Sequence, residues 1–159
     1  MAIPASVSAY LEQHGVSFSV VEHPVAFTAQ EEAAATHIPG REWAKAVLCM
    51  VDDQPTLAVV PADRLVDLDR FREICGATSV RLATEAELRP LYSDCEVGAM
   101  PPLGPLYKQP VVVDTSLTSD PEIVFNGGSH HEAIRMRYED FEELVKPRVA
   151  SFGTPLRSS

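Results

Sequence analysis

Two adjacent apolar runs in the first half of the chain constrain its fold most strongly. Residues 44–51 and 56–60 are rich in β-forming side chains, and the polar residues 52–55 separate them. A short polar connection between two such runs is typical of a β-hairpin. Lys45 lies near the start of the first run among small apolar side chains, where its ammonium is costly to bury without an anion or acceptor. We therefore expect a central hairpin strand that presents Lys45 to a polar ligand.

Helix and strand signals surround this hairpin without a regular βαβ alternation. Thr28 and Thr84 each precede a glutamate by three residues, which is the spacing of a capping box, and Asp67 can cap a helix that ends at Gly76. The predicted helices are 6–14, 28–36, 67–76, 84–90 and 138–145, and the remaining predicted strands are 16–21, 111–114, 122–125 and 132–136. This order favours an α+β, mixed-sheet domain.

The bulk composition is that of one domain. A chain of 159 residues with 45% apolar composition can fill a single core, which we assign to residues 1–149, while residues 150–159 are rich in Ser, Pro and Arg and are expected to form a flexible tail. Cys49, Cys75 and Cys95 lie far apart without a metal-binding spacing, so we expect a reduced cytoplasmic protein with no metal and no other cofactor. No segment approaches the ~20 apolar residues that cross a bilayer.

The net charge of −10 weighs against extended binding to nucleic acid, including DNA, because Lys and Arg supply most non-specific affinity for phosphates. Arg64, Arg70, Arg72 and Arg81 form the one basic-leaning stretch, and the aspartates between them favour a solvated surface. The net charge does not exclude a small contact with one end of an RNA.

Two glycine-containing segments accompany Lys45. In residues 98–104 a rigid Pro-Pro pair lies between Gly98 and Gly104, and residues 126–130 read Asn-Gly-Gly-Ser-His. Glycine lets a ligand approach the main chain closely, although either segment alone is more typical of a structural turn. Together with Lys45 they predict one small-molecule pocket.

Four ordered segments resemble the YbaK/ProX family of aminoacyl-tRNA deacylases, which includes the editing domain inserted in bacterial prolyl-tRNA synthetases. They are His-Pro-Val-Ala-Phe-Thr-Ala at 23–29, Ala-Lys-Ala-Val-Leu at 44–48, Gly-Ala-Met-Pro-Pro-Leu-Gly at 98–104 and Val-Phe-Asn-Gly-Gly-Ser-His at 124–130. Each motif is weak alone, and their ordered combination is fairly specific. The resemblance implies a mixed, partly barrel-like β-sheet surrounded by helices.

The resemblance also implies catalytic roles. The lysine that matches Lys45 is required for deacylation in the family, and the glycine that matches Gly104 meets the reacting ester through its backbone. Pro102 lies beside this glycine and is assigned to the substrate pocket. Ala46 stands where some relatives carry a polar residue that contacts substrate, so a water-positioning contact is missing here.

The other assigned pocket residues come from two loops. By resemblance Phe27 and Thr28 lie in one wall of the amino-acid pocket, although the capping-box spacing favours a helix cap for Thr28. His130 ends the small-residue turn and could narrow the pocket, bind a hydroxyl or act as a base, and we expect His131 to point to the opposite face. The turn residues assigned to substrate binding are Asn126, Gly127, Gly128, Ser129 and His130.

These assignments predict a trans-acting editing hydrolase that cleaves a mischarged small amino acid, such as Ala, Ser or Cys, from tRNA(Pro) or a similar tRNA. Its partners would be the acceptor end of aminoacyl-tRNA and an aminoacyl-tRNA synthetase. A non-catalytic module that binds aminoacyl-tRNA or a synthetase is the alternative, favoured by the acidity and by Ala46. A serine or cysteine hydrolase is weaker, because no Gly-x-Ser-x-Gly elbow occurs.

Overall fold

The computed structural model describes residues 3–24, 28–36 and 38–155, and within these ranges the chain forms five α-helices and ten strands. None of the described helices combines the length and apolar character needed to cross a bilayer. In chain order the elements are α1 Ala5–Gln13, β1 Phe18–Glu22, α2 Ala29–Thr36, β2 Ala44–Val51, β3 Gln54–Pro61, β4 Arg64–Val66, α3 Leu68–Cys75, β5 Val80–Leu82, α4 Glu85–Leu91, β6 Val111–Asp114, β7 Glu122–Asn126, β8 Glu132–Arg137, α5 Tyr138–Val145, β9 Arg148–Ala150 and β10 Gly153–Pro155. Short 3-10 helices occupy Gly40–Glu42, Gly104–Tyr107 and Thr115–Leu117.

The strands form a mixed arrangement of three sheets. The largest has the order β5-β2-β3-β6-β9, with β2 antiparallel to both neighbours and β6 parallel to both of its own. A second, antiparallel sheet has the order β1-β8-β7, and β4 pairs with β10. The predicted mixed α+β fold is confirmed, and in the described part of the chain the sheet does not close into a barrel.

The predicted hairpin is confirmed as β2 and β3. Its register runs from Ala44 opposite Pro61 to Val51 opposite Gln54. Asp52 and Asp53 form the turn, with φ angles of 48° and 65° in the left-handed region that two-residue hairpin turns require. The second strand therefore begins two residues earlier than predicted.

The predicted helix caps are also confirmed. The Asp67 carboxylate accepts a hydrogen bond from the Arg70 backbone N–H, and Gly76 ends α3 with φ 63°. Thr84 and Glu87 form both hydrogen bonds of a capping box at α4. Local sequence signals therefore determine where these surface helices begin and end.

A shared core joins the two larger sheets and fixes the start of β2. Leu57 and Val59 of β3 pack in one cluster with Phe125 of β7. Trp43 immediately precedes β2, is fully buried, and forms an isolated parallel bridge with Val124. Because Trp43 holds the beginning of β2 against β7, residues 44–46 lie close to the end of the second sheet.

Ordered structure continues past the expected boundary at residue 149. Phe152 is 1% exposed and packs edge-on against Phe71 of α3, and Gly153–Pro155 pair with β4. The expectation of a flexible tail therefore does not hold for residues 150–155. The composition of this segment predicts a frayed end, but contacts with α3 and β4, which are distant in sequence, hold it in place.

Asp114 is the main anchor of this C-terminal segment. Its Oδ1 atom accepts hydrogen bonds from the backbone N–H groups of Phe152 at 2.9 Å and Gly153 at 2.7 Å, and its Oδ2 atom accepts from that of Ser116 at 3.1 Å. Burial alone raises the pKa of Asp114, but hydrogen bonds from Ser116, Phe152 and Gly153 outweigh it and hold the pKa below its ordinary value. Arg70 adds a hydrogen bond to the carbonyl of Ser151 at 2.7 Å.

We expect Asp114→Asn to lower the free energy of unfolding by about 2 kcal/mol at pH 7, because buried donors lose a charged acceptor. A lowered native pKa stabilises the fold above the unfolded-state pKa of about 3.9, and this contribution is lost as the pH falls through the native pKa. Urea denaturation of both proteins from pH 7 to pH 3 should show the difference shrinking below about pH 4. A difference that stays constant over this range would contradict the role of the carboxylate charge.

Candidate active site

A cavity of about 130 Å³ lies where the start of β2 meets the end of β7. Lys45, Gly98 and Asn126 line it, so each of the three segments that predicted a pocket contributes at least one residue. The other lining residues are Glu32, Ala44, Ala46 and Met100. The two alanines and Met100 give the cavity an apolar wall beside its polar groups.

Lys45 is the second residue of β2 and is half-buried. Burial lowers the pKa of its ammonium, and the nearby Asp63 carboxylate acts in the opposite direction. A lysine ammonium in such a place can polarise a carbonyl or hold a ribose hydroxyl. Lys45 is thus a candidate for stabilising negative charge that develops on a bound ester.

Glu32 faces the same cavity and was not identified from the sequence. Its side chain is 1% exposed, and its Oε1 atom accepts a hydrogen bond of 3.0 Å from Nδ2 of Asn126. Burial raises the pKa of Glu32 to about 7, partly offset by the Asn126 hydrogen bond. The contact joins residues 94 positions apart, and although the capping-box spacing singles out the exposed Glu31, no local sequence signal places Glu32 in a pocket.

His23 lies behind Glu32. Its Nε2 atom is 3.7 Å from Oε2 of Glu32, and its Nδ1 atom is 2.8 Å from the carbonyl oxygen of Pro24. Since a carbonyl can only accept, Nδ1 carries a proton, and Nε2 faces the carboxylate. The His23 ring also packs edge-on against Trp43, with ring centroids 5.9 Å apart.

Residues 96–98 form a loop that brings Gly98 to the cavity. Gly98 has φ +83°, a conformation that favours glycine. The backbone N–H of Glu96 donates to the carbonyl of Gly128 at 2.8 Å, and the Glu96 carboxylate accepts from the backbone N–H of His130 at 2.9 Å. Two hydrogen bonds therefore join the 126–130 turn to this loop.

His130 contacts the 96–98 loop and does not line the cavity. It is 6% exposed, and its Nε2 atom donates a 2.7 Å hydrogen bond to the carbonyl of Val97. A Cβ atom on Gly98 would lie 3.7 Å from the His130 ring. His130 and His131 precede β8 instead of lying on it, so strand alternation does not orient them. The proposed effect of His130 on specificity stays a prediction, and it would act through the Gly98 loop.

The middle of the turn packs against the N-terminal residues. A Cβ atom on Gly128, whose φ is +115°, would lie 2.6 Å from Cδ of Pro4, and one on Gly127 would lie 3.1 Å from Ile3. Ser129 is fully buried, and its hydroxyl lies 3.5 Å from the backbone nitrogen of His131. Of the five assigned turn residues, Asn126 lines the cavity, and the other four lie outside its lining.

Gly104 and Pro102 lie outside the cavity lining. Gly104 is the buried first residue of a 3-10 turn, and a Cβ atom there would lie 2.3 Å from both the carbonyl oxygen of Gln109 and Cγ2 of Val111. Pro102 is buried in the preceding loop. Close packing explains the glycine without a substrate, so its assigned catalytic role stays a prediction.

The two assigned residues before α2 have different outcomes. The Thr28 hydroxyl accepts a hydrogen bond from the backbone N–H of Glu31 at 3.1 Å and donates one to the Glu31 carboxylate at 2.9 Å. Thr28 therefore caps α2, as its spacing favoured. Phe27 lies outside the described residues.

A second cavity of about 230 Å³ adjoins the first and shares Gly98 and Met100 with it. Arg89 and Tyr92 of the α4 region contribute to its wall. Among the described residues, His, Cys, Asp and Glu side chains form no group of three that could hold a metal ion.

Solved structures share this fold over nearly the whole chain. A protein proposed to be a trans-editing enzyme for prolyl-tRNA synthetase superposes with a TM-score of 0.82 and 25% identity, covering 96% of this chain and 99% of its own. The hypothetical protein APE2540 superposes with a TM-score of 0.83 and 22% identity, covering 94% and 99%, which is a likeness of fold.

Curated relatives are proline–tRNA ligases. That of Nitratidesulfovibrio vulgaris is 30% identical over 100 residues, which is 63% of this chain and 17% of the ligase. That of Thiobacillus denitrificans is 30% identical over 84 residues, which is 53% of this chain and 14% of the ligase. The chain thus matches a small part of each ligase. Residues 23–144 match the family model of the aminoacyl-tRNA editing domain, and the chain belongs to that family.

Proposed function

We propose that this protein hydrolyses the ester between a mischarged small amino acid and the terminal ribose of a tRNA, with tRNA(Pro) as the first candidate. The observation that carries the proposal is the placement of Lys45, Gly98 and Asn126, from three separate segments, around one cavity in a chain of the editing-domain family. The relation to proline–tRNA ligases supports the choice of tRNA.

In this reaction water attacks the ester carbonyl carbon, the carbonyl oxygen takes up negative charge, and the ribose oxygen leaves with a proton. The Lys45 ammonium stabilises that negative charge, and its partial burial strengthens the interaction because little solvent screens it. Gly98 lets the ester approach the main chain closely. The products are the free amino acid and uncharged tRNA.

The size of the cavity supports a small substrate. About 130 Å³ bounded by Ala44, Ala46 and Met100 leaves room for a short side chain beside the ester. A synthetase pocket discriminates poorly between small side chains, since one methylene changes the binding free energy by only about 1–3 kcal/mol. A second, hydrolytic pocket that admits only small side chains corrects the resulting errors.

The distribution of charge on the protein favours binding of the acceptor end of the tRNA alone. Two arginines of the basic-leaning stretch donate to main-chain carbonyls of the C-terminal segment, Arg70 to Ser151 and Arg64 to Gly153, and Arg81 makes two hydrogen bonds to Glu87. These three side chains are therefore engaged in contacts within the protein. The cavity beside Arg89 and Tyr92 provides space for the terminal nucleotide.

A panel of tRNAs charged with Ala, Ser, Cys, Pro, Leu or Phe tests the proposal. We expect release of the small amino acids, with kcat/KM for Leu and Phe lower by at least about 100-fold because the cavity excludes them. Binding of charged tRNA without release of any amino acid would contradict hydrolysis and support the non-catalytic alternative. Equal rates across the panel would contradict the size selection.

A further inference from the structure

Glu32 and Asn126 each hold one buried oxygen that accepts no hydrogen bond within the described residues, and Nε2 of His23 lies 3.7 Å from the Glu32 oxygen. The amide Nδ2 of Asn126 donates to Oε1 of Glu32, which leaves Oδ1 of Asn126 and Oε2 of Glu32. Within the described residues, neither of these two oxygens accepts a hydrogen bond, and both are buried. Buried acceptors without donors are costly, so their arrangement fits a ligand that brings several N–H groups.

The cavity also contains charges of opposite sign. Lys45 and Glu32 both line it, beside the apolar side chains of Ala44, Ala46 and Met100. An aminoacyl ester has matching features on adjacent carbon atoms: a carbonyl that becomes negative during hydrolysis and an α-ammonium that is positive. Lys45 repels the ammonium and attracts the carbonyl oxygen, while a carboxylate does the reverse.

We propose that Glu32, with Asn126, binds the α-ammonium group of the aminoacyl ester, so that the cavity accepts free aminoacyl groups and rejects N-acylated ones. The inference rests on the proposed hydrolysis of aminoacyl-tRNA and names a recognition site within it. A formylated, acetylated or peptidyl nitrogen has one N–H group and no positive charge, and its acyl substituent needs additional space. Such esters therefore neither satisfy the two acceptors nor fit the cavity.

Protonation of Glu32 is compatible with this role. Burial raises the pKa of Glu32 to about 7, and a bound ammonium would favour its ionised form again. When the substrate arrives as a neutral amine, the carboxylic O–H bond breaks, an N–H bond forms on the substrate, and the same ion pair results. His23, 3.7 Å from Oε2, supports the carboxylate from the side of Trp43.

Non-hydrolysable probes test the proposal apart from catalysis. The probes are 3′-amino-3′-deoxyadenosine acylated with alanine, with N-acetylalanine or with lactic acid, which replaces the ammonium by a hydroxyl. Binding is measured by NMR titration of the full chain. We expect the wild type to bind the alanyl probe about 10- to 100-fold more tightly than the lactyl or the N-acetylalanyl probe, the range that hydrogen bonds to a charged group give.

Glu32→Gln keeps the shape and the Asn126 hydrogen bond but removes the charge, so it should abolish the preference for the alanyl probe. Glu31→Gln is the matched control, because it removes the same charge from the exposed neighbour while keeping the capping-box pattern. It should leave the preference unchanged. Equal binding of the alanyl probe and either of the other two probes by the wild type, or an unchanged preference in Glu32→Gln, would overturn the proposal.

The same comparison separates this inference from the proposed function. Absence of release from any charged tRNA, together with selective binding of the alanyl probe, would refute hydrolysis and uphold the ammonium site. Release of alanine and lactate from tRNA at equal kcat/KM, with equal binding of the probes, would uphold hydrolysis and refute the site. If Glu32→Gln does not fold, the proposal is decided by whether the wild type prefers the alanyl probe to the lactyl and N-acetylalanyl probes.

Discussion

Lys45→Ala should lower kcat/KM for release of a small amino acid from tRNA by at least about 10²- to 10³-fold. The ammonium is the cationic group in the lining of the cavity, and removal of one preorganised stabiliser of an oxyanion costs a factor of this size. The melting temperature should stay within about 3 °C of the wild type or rise, because a half-buried charge carries a desolvation cost.

Lys108→Ala is the control for this experiment. Lys108 is exposed and follows the 3-10 turn outside the cavity lining, so its removal changes net charge without changing the candidate site. Its kcat/KM should remain within about twofold of the wild type. Full activity in Lys45→Ala, or equal losses in both variants, would remove Lys45 from the site.

Gly104→Ala should destabilise the fold severely. The added Cβ would lie 2.3 Å from a backbone oxygen and from Cγ2 of Val111, both in a buried region, and the backbone has little freedom to move away. We expect a loss of about 3 kcal/mol or more in the free energy of unfolding, measured by urea denaturation.

Gly40→Ala provides the comparison, since a Cβ there would lie 3.5 Å from its nearest neighbour, an ordinary contact. Its stability should change by about 0.5 kcal/mol or less. Kinetics of Gly104→Ala below its melting temperature then separate the two interpretations of this glycine. A normal rate per folded molecule would fit a packing role, and a folded but inactive variant would restore the catalytic role that the family resemblance implies.

The elements predicted well are those encoded by neighbouring residues. The β2–β3 hairpin follows from two apolar runs and a two-residue turn, and α3 follows from the Asp67 cap and Gly76. Strands β4 and β10 were missed because each has three residues, too few to show a period of two. Only their pairing with each other, nearly 90 residues apart, makes them strands.

The residues of the candidate site also differ in whether neighbouring sequence identifies them. Lys45 was recognisable because a charge within an apolar strand conflicts with its surroundings, and Asn126 because it begins a glycine turn. Glu32 is not recognisable in the sequence, since its role depends on its burial and on a contact with Asn126, 94 residues away. The motif position predicts His130 in the pocket, whereas its hydrogen bond to Val97 depends on a loop more than 30 residues away.

Multiple-turnover release of radiolabelled alanine from Ala-tRNA(Pro) tests the central claim most directly. With tRNA in tenfold excess over protein, we expect every alanine to be released at a rate that scales with protein concentration, while Pro-tRNA(Pro) stays charged. Release that stops at one equivalent per protein would contradict catalysis. A rate no faster than in buffer, for alanine, serine and cysteine alike, would contradict the assignment as an editing hydrolase.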